Sequence, residues 1–143
     1  MLLKISSLRL KIFLRSVDEE KSTYAYAPGK WTLKELLQHI IDGERIFDYR
    51  ALCFARKETI SLPSFDENLY AGNSNANVRS WKSLSNEFIN VRRTTEDLYN
   101  SFSDETLQQK GTANDNSLSV LSLGFIIIGH VTHHIKVVEE KYL

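Results

Sequence analysis

Apolar residues recur every three or four positions through four long segments of this 143-residue chain, and only two prolines, Pro28 and Pro63, interrupt it anywhere. A period near 3.6 commits each segment to an amphipathic helix, and four such helices bury their stripes against one another as a bundle. The expectation is therefore all-α, with residues 1–143 forming a single domain.

The first segment runs from about Leu2 to Val17, with Leu3, Leu10, Leu14 and Val17 on one face and Ile5, Ile12 and Phe13 beside it. Its basic back suits a membrane surface, but a bundle helix with a solvated face explains the same pattern. The second opens after Pro28-Gly29, at Trp31-Thr32, and continues to Lys57. The third carries Val78, Trp81, Leu84, Phe88, Val91, Thr95, Leu98 and Phe102 along one seam, which leaves Arg92 and Arg93 as surface or interface charges. The fourth begins near Asn116-Ser117, where either side chain can cap, and runs to the end. Between the second and third lies a long connection, Glu58 to about Asn77. Such a loop can cross the bundle end, so the helices it joins need not be antiparallel.

Composition narrows the function. Eighteen basic residues balance eighteen acidic ones, which removes the simplest reason to expect a nucleic-acid partner. Cys53 is the lone cysteine, so neither an intrachain disulfide nor a thiolate zinc site is available, and a reducing cytoplasm is the expected compartment. Lys4, Arg9 and Lys11 break up the N-terminal segment, which does not read as a signal peptide. The longest apolar stretch, Leu118 to Ile128, is interrupted by serines and Gly124 and falls short of the roughly 20 residues of a membrane span. Phosphate loops, CxxC pairs, nucleophile elbows and HExxH motifs are absent, and Cys53 has no evident base beside it.

The four histidines carry the chemical interest. With about 100° per residue, His134 lies near 40° from His130 on the side of Leu123, Ile127 and Val138, whereas His133 falls about 100° around the axis toward the polar margin. An i, i+4 pair of imidazoles can grip one divalent ion. On the second helix, His39 shares a face with Leu36, Gly43, Ile46 and Phe47, so a third ring nitrogen also points inward. Three imidazoles leave coordination positions open, as catalytic metals require. Periodicity alone leaves standing the other reading, core histidines satisfied by hydrogen bonds.

Other polar residues lie on the same helix. Glu35, one turn before His39, can act as an outer partner of that ring or as a simple surface neighbour. Arg50 falls within about 20° of His39, which suits either an anion clamp near the metal or, as the preferred reading, a buried pair with Glu44 or another carboxylate. Gly43, Gly124 and Gly129, costly inside helices, are read as points of close packing.

The stretch YAPGKWTLKELLQHIIDGERIFDYRALCFAR, from Tyr26 to Arg56, the LPSFDEN loop and the ending GHVTHHIKVVEEKYL together resemble the DinB-like superfamily of damage-inducible and YfiT-type metal-dependent proteins. The likeness spans nearly the whole chain. It implies a four-helix bundle of variant up-down-down-up topology and a divalent metal, zinc or nickel, held by His39, His130 and His134. Glu35, Arg50 and His133 remain as outer-shell or substrate-contact positions. Family activities include S-transfer with low-molecular-weight thiols such as bacillithiol, mycothiol-dependent isomerisation and metal-dependent hydrolysis. The chain departs from the family pattern in a first helix that begins almost at the initiator methionine, and in Cys53, where relatives carry a basic residue. The resulting expectation is a cytoplasmic homodimer acting on a small-molecule substrate, with a thiol cosubstrate or water activated by the metal. The alternative is a non-catalytic dimeric stress or interaction protein whose histidines serve stability or hold a structural ion.

Overall fold

A computed structural model describes residues 2–143, with side chains from Leu8 onward, so the facing assigned to Leu3 and Ile5 lies outside the described side chains. In chain order the elements are α1 (Leu2–Ser16), α2 (Leu33–Ala55), α3 (Glu67–Asn73), α4 (Trp81–Asn100), α5 (Asp104–Gln108), β1 (Lys110–Ala113), β2 (Asn116–Ser119) and α6 (Val120–Lys141). Short 3-10 turns at Lys21–Thr23 and Ala76–Val78 join them.

Side chains that replace missing backbone partners set the helix starts. Thr32 accepts from the Glu35 N–H, while the Glu35 carboxylate accepts from the Thr32 N–H at 2.8 Å, closing a capping box ahead of α2. Ser119 and Ser122 do the same for α6, and the Ser80 hydroxyl accepts from the Ser83 N–H to open α4. Two boundaries therefore differ from the periodicity reading. Val78 precedes α4 and is 85% exposed, and Asn116-Ser117 lie in a β-hairpin rather than at a helix start. The hairpin turn, Asn114-Asp115, has φ of 49° and 58°, a left-handed pair that these two residue types tolerate and that suits a two-residue antiparallel connection. The long connection also holds a helix, α3, which Asp66 caps by accepting from the Asn68 and Leu69 N–H groups.

Packing centres on α2, which lies against both α4 and α6, with α1 closing the other side. From the start of α2 onward the partners on the α4 side advance with it, Gln38 with Arg79 just ahead of α4, Arg45 with Glu87 and Asp48 with Thr95, so these helices run in the same direction. Toward α6 the order reverses. His39 meets His134 and Phe47 meets His130. One core, built from Leu10, Phe13, Leu37, Ile40, Phe88 and Ile135 among others, joins all four long helices. A second, around Ala51, Phe54, Leu62, Ala113 and Leu123, seals the hairpin onto the far end of α2.

Helix α6 has a mean hydropathy of 1.4 in its most apolar window, enough by length and composition alone to cross a bilayer. Here Leu123, Ile127, Val131, Ile135 and Val138 are buried at three- and four-residue spacing, so its apolar stripe faces the bundle interior.

Candidate metal centre

The α2–α6 contact brings three ring nitrogens to one point. His39 Nε2 lies 2.9 Å from His130 Nε2 and 3.2 Å from His134 Nε2, and the last two are 3.1 Å apart. His39 sits one face of α2 inward; His130 and His134 are one turn apart on α6 and share a side. Neighbours fix the rings. Trp31 packs against His39 with centroids 4.8 Å apart, and the Phe47 ring meets His130 edge-on at 5.7 Å. Gly43 leaves the space His130 needs, because a Cβ there would approach His130 Cε1 to 2.8 Å.

Burial removes water from all three rings and disfavours their charged forms. The pKa of His39 is lowered chiefly by that burial; burial with the neighbouring histidines takes His130 down to about 4 and His134 to about 3. At neutral pH the rings are uncharged, the form in which an imidazole nitrogen ligates. Three such nitrogens cannot satisfy one another well, since each Nε2 is either a donor or an acceptor. His134 Nδ1 is also buried without a partner. An ion with bonds of about 2.0–2.1 Å places tetrahedral ligand atoms roughly 3.3 Å apart, close to the spacing found here. The donor set fits a divalent cation with three protein nitrogens.

The other predicted residues separate. His133 is exposed on the margin, its ring 5.1 Å from that of His134. Glu35 serves the α2 capping box. Arg50 is 7% exposed, but the expected pair with Glu44 does not form: its Nη2 donates to the Pro63 carbonyl at 2.8 Å. Glu44 instead takes Arg92 in a two-point bond, 2.7 Å at each contact, so Arg92 is a buried charge and not a surface one. The geometry explains the exchange: Glu44 lies about 140° around α2 from His39, toward α4, while Arg50 stays on the histidine side. Of the glycines, Gly43 and Gly124 are close-packed, the latter against Tyr99, but a Cβ on Gly129 would meet nothing within 4 Å.

A cavity of about 280 Å³ reaches the cluster at His134, walled by Tyr26, Trp31, Tyr142 and His133, with Glu67 and Asn68 supplied by α3. Both fall within the connection that periodicity leaves without a helix. The signal for them was Asp66, a capping residue immediately before Glu67. A broader groove of about 930 Å³ runs along the α2–α4 face, where Arg45 and Glu87 are paired, and does not touch the histidines.

The solved structure of YfiT from Bacillus subtilis, described as a probable metal-dependent hydrolase with an unusual four-helix bundle topology, superposes with a TM-score of 0.82 at 17% identity, covering 97% of this chain and 81% of that one. No curated protein sequence matches the chain. The sequence profile of the DinB superfamily matches residues 6–138, so the chain belongs to that superfamily.

Proposed function

We propose that this protein is a divalent-metal-dependent enzyme, a hydrolase or a thiol S-transferase, with His39, His130 and His134 as the protein ligands. The convergence of three uncharged Nε2 atoms within 3.2 Å of one another carries the reading. A zinc or nickel ion there supplies a Lewis acid that lowers the pKa of a water or thiol in the remaining positions. The chain's own residues orient and exclude. Trp31 and Phe47 hold two of the rings edge or face, and Tyr142 donates to the Trp31 carbonyl at 2.7 Å to fix that wall. The cavity at His134 has room for a small substrate or a low-molecular-weight thiol, with His133 and Asn68 placed to hydrogen-bond it. The description of YfiT supports the hydrolase form.

The paired residues along the helices support an up-down-down-up order for α1, α2, α4 and α6. The same reading has a cytoplasmic homodimer, with Leu8 and Ile12 on the open face of α1 as its pairing surface. Metal analysis of protein purified without a polyhistidine tag tests the central point. About one ion per chain is expected, lost in His39→Ala; no binding of added zinc or nickel by the unaltered protein rejects the reading.

A further inference from the structure

Among the described residues three cations are buried, and two of them have carboxylates. Lys34 bonds Glu19 at 2.5 Å and Arg92 bonds Glu44 at 2.7 Å. Arg50 makes no ion pair among the described residues: its Nη2 reaches a neutral carbonyl, and its Nε is buried with no acceptor. Removing a guanidinium from water without an anion is costly, and a retained charge of this kind implies a partner outside the chain.

Arg50 lines a cavity of about 310 Å³ whose other walls are Ile46, Tyr49, Leu62, Phe65 and Tyr70. The loop side is pinned in place. The Leu62 N–H donates to the Thr112 carbonyl at 2.9 Å, the Asn114 N–H donates to the Leu62 carbonyl at 3.0 Å, and Phe65 packs on Tyr70 with centroids 5.3 Å apart. This cavity shares no lining residue with the one at His134. Eleven residues of helix separate Arg50 from His39, roughly 16 Å along the axis.

We propose that this second cavity binds an organic carboxylate with an apolar body, the carboxylate accepting from the Arg50 guanidinium and the body lying against Ile46, Phe65 and Tyr70. Arg45 also borders the cavity but is paired with Glu87, so the Arg50 guanidinium is left to balance one negative charge, and the apolar walls favour a hydrocarbon or aromatic body over the hydrated phosphate dianion. The site stands whether or not the histidines hold an ion.

The test is an NMR titration of the full chain with 3-phenylpropionate, following the Arg50 Nε–H resonance, assigned by its absence in Arg50→Lys. The neutral amide of the same acid and inorganic phosphate are run in parallel. The expected result is a saturable shift of that resonance by the carboxylate, little response to the other two probes, and binding at least tenfold weaker in Arg50→Met. An unmoved Arg50 resonance, equal binding of the amide, or undiminished binding in Arg50→Met overturns the proposal. Phosphate binding as tightly as the carboxylate overturns it too, by showing an anion site without selection for an apolar body. The titration of the unaltered protein decides even where Arg50→Met fails to fold.

Discussion

On one side of α2, His39 faces His130 and His134; on the other, Glu44 and Asp48 face Arg92 and Thr95. Both groups are polar and buried, but their polypeptide partners differ. Glu44 and Arg92, 1% and 3% exposed, satisfy each other through two charge-assisted bonds. Thr95 lies 2.7 Å from both Glu44 Oε1 and Asp48 Oδ2, yet its hydroxyl has one proton to give. With Asp48 protonated, Asp48 donates to Thr95 and Thr95 to Glu44, in accord with a carboxyl that burial raises to about 7. The α4 side is thus nearly closed within the chain. The α6 side presents three like groups with no internal counterpart, an arrangement a cation would complete.

The sharpest way to break this contrast is to remove one member from each side. On the open side, His134→Ala should lower metal affinity roughly 10³-fold, about 4 kcal/mol or about a third of the 10–16 kcal/mol typical of such sites. His133→Ala, on the exposed margin, should change it less than about tenfold. Chelator-competition titration, with helicity checked by circular dichroism, measures both; the reverse ranking would dissolve the three-histidine site. On the closed side, Arg92→Met leaves the Glu44 carboxylate buried with the Thr95 hydroxyl but no countercharge and should cost about 3 kcal/mol in urea unfolding. A loss below about 1 kcal/mol would mean water already reaches that pair.

The histidine site was readable because a helical period fixes direction: His130 and His134 fall on the side of Leu123 and Ile127, and His39 on that of Leu36 and Gly43. Period fixes nothing about which neighbour a face meets. That is why the period pairs Arg50 with Glu44 or another carboxylate, while the partner of Glu44, Arg92, comes from α4, 48 residues along the chain and unmarked by any local pattern. The hairpin was hidden for a different reason. Its strands are four residues each, and serines and asparagine before an apolar run read equally well as a helix cap.

A smaller change tests how tightly the open side is built. Gly43→Ala should gain about 1 kcal/mol in helix propensity, but its Cβ would sit 2.8 Å from His130 Cε1 and displace that ring. Metal affinity is expected to fall by about 2 kcal/mol, some thirtyfold. Gly129→Ala, with nothing within 4 Å, isolates the propensity gain and should leave affinity unchanged. Equal affinities in the two variants would show that the ring is not held by the space at Gly43.

The smallest effect separates the two sides by the sign of their pH dependence, measured on chelated protein. His130 and His134 titrate near 4 and 3 when folded and near 6.5 when unfolded, so between those values the unfolded chain binds more protons and stability is lost as pH falls. Asp48 is the reverse. Its folded value near 7 exceeds about 3.9 unfolded, so its contribution is complete below about pH 4 and is lost as pH rises through 7. Asp48→Asn removes the second effect and leaves the first, because the amide still donates to Thr95 without acquiring charge. The variant and the parent should therefore unfold at similar urea concentrations at pH 4. By pH 8 the variant should be more stable by about 1 kcal/mol, a figure already reduced for the partial exposure of this carboxyl. A difference that stays flat from pH 4 to 8 would show that Asp48 does not carry the proton, and the chain of donation through Thr95 to Glu44 would have to run the other way.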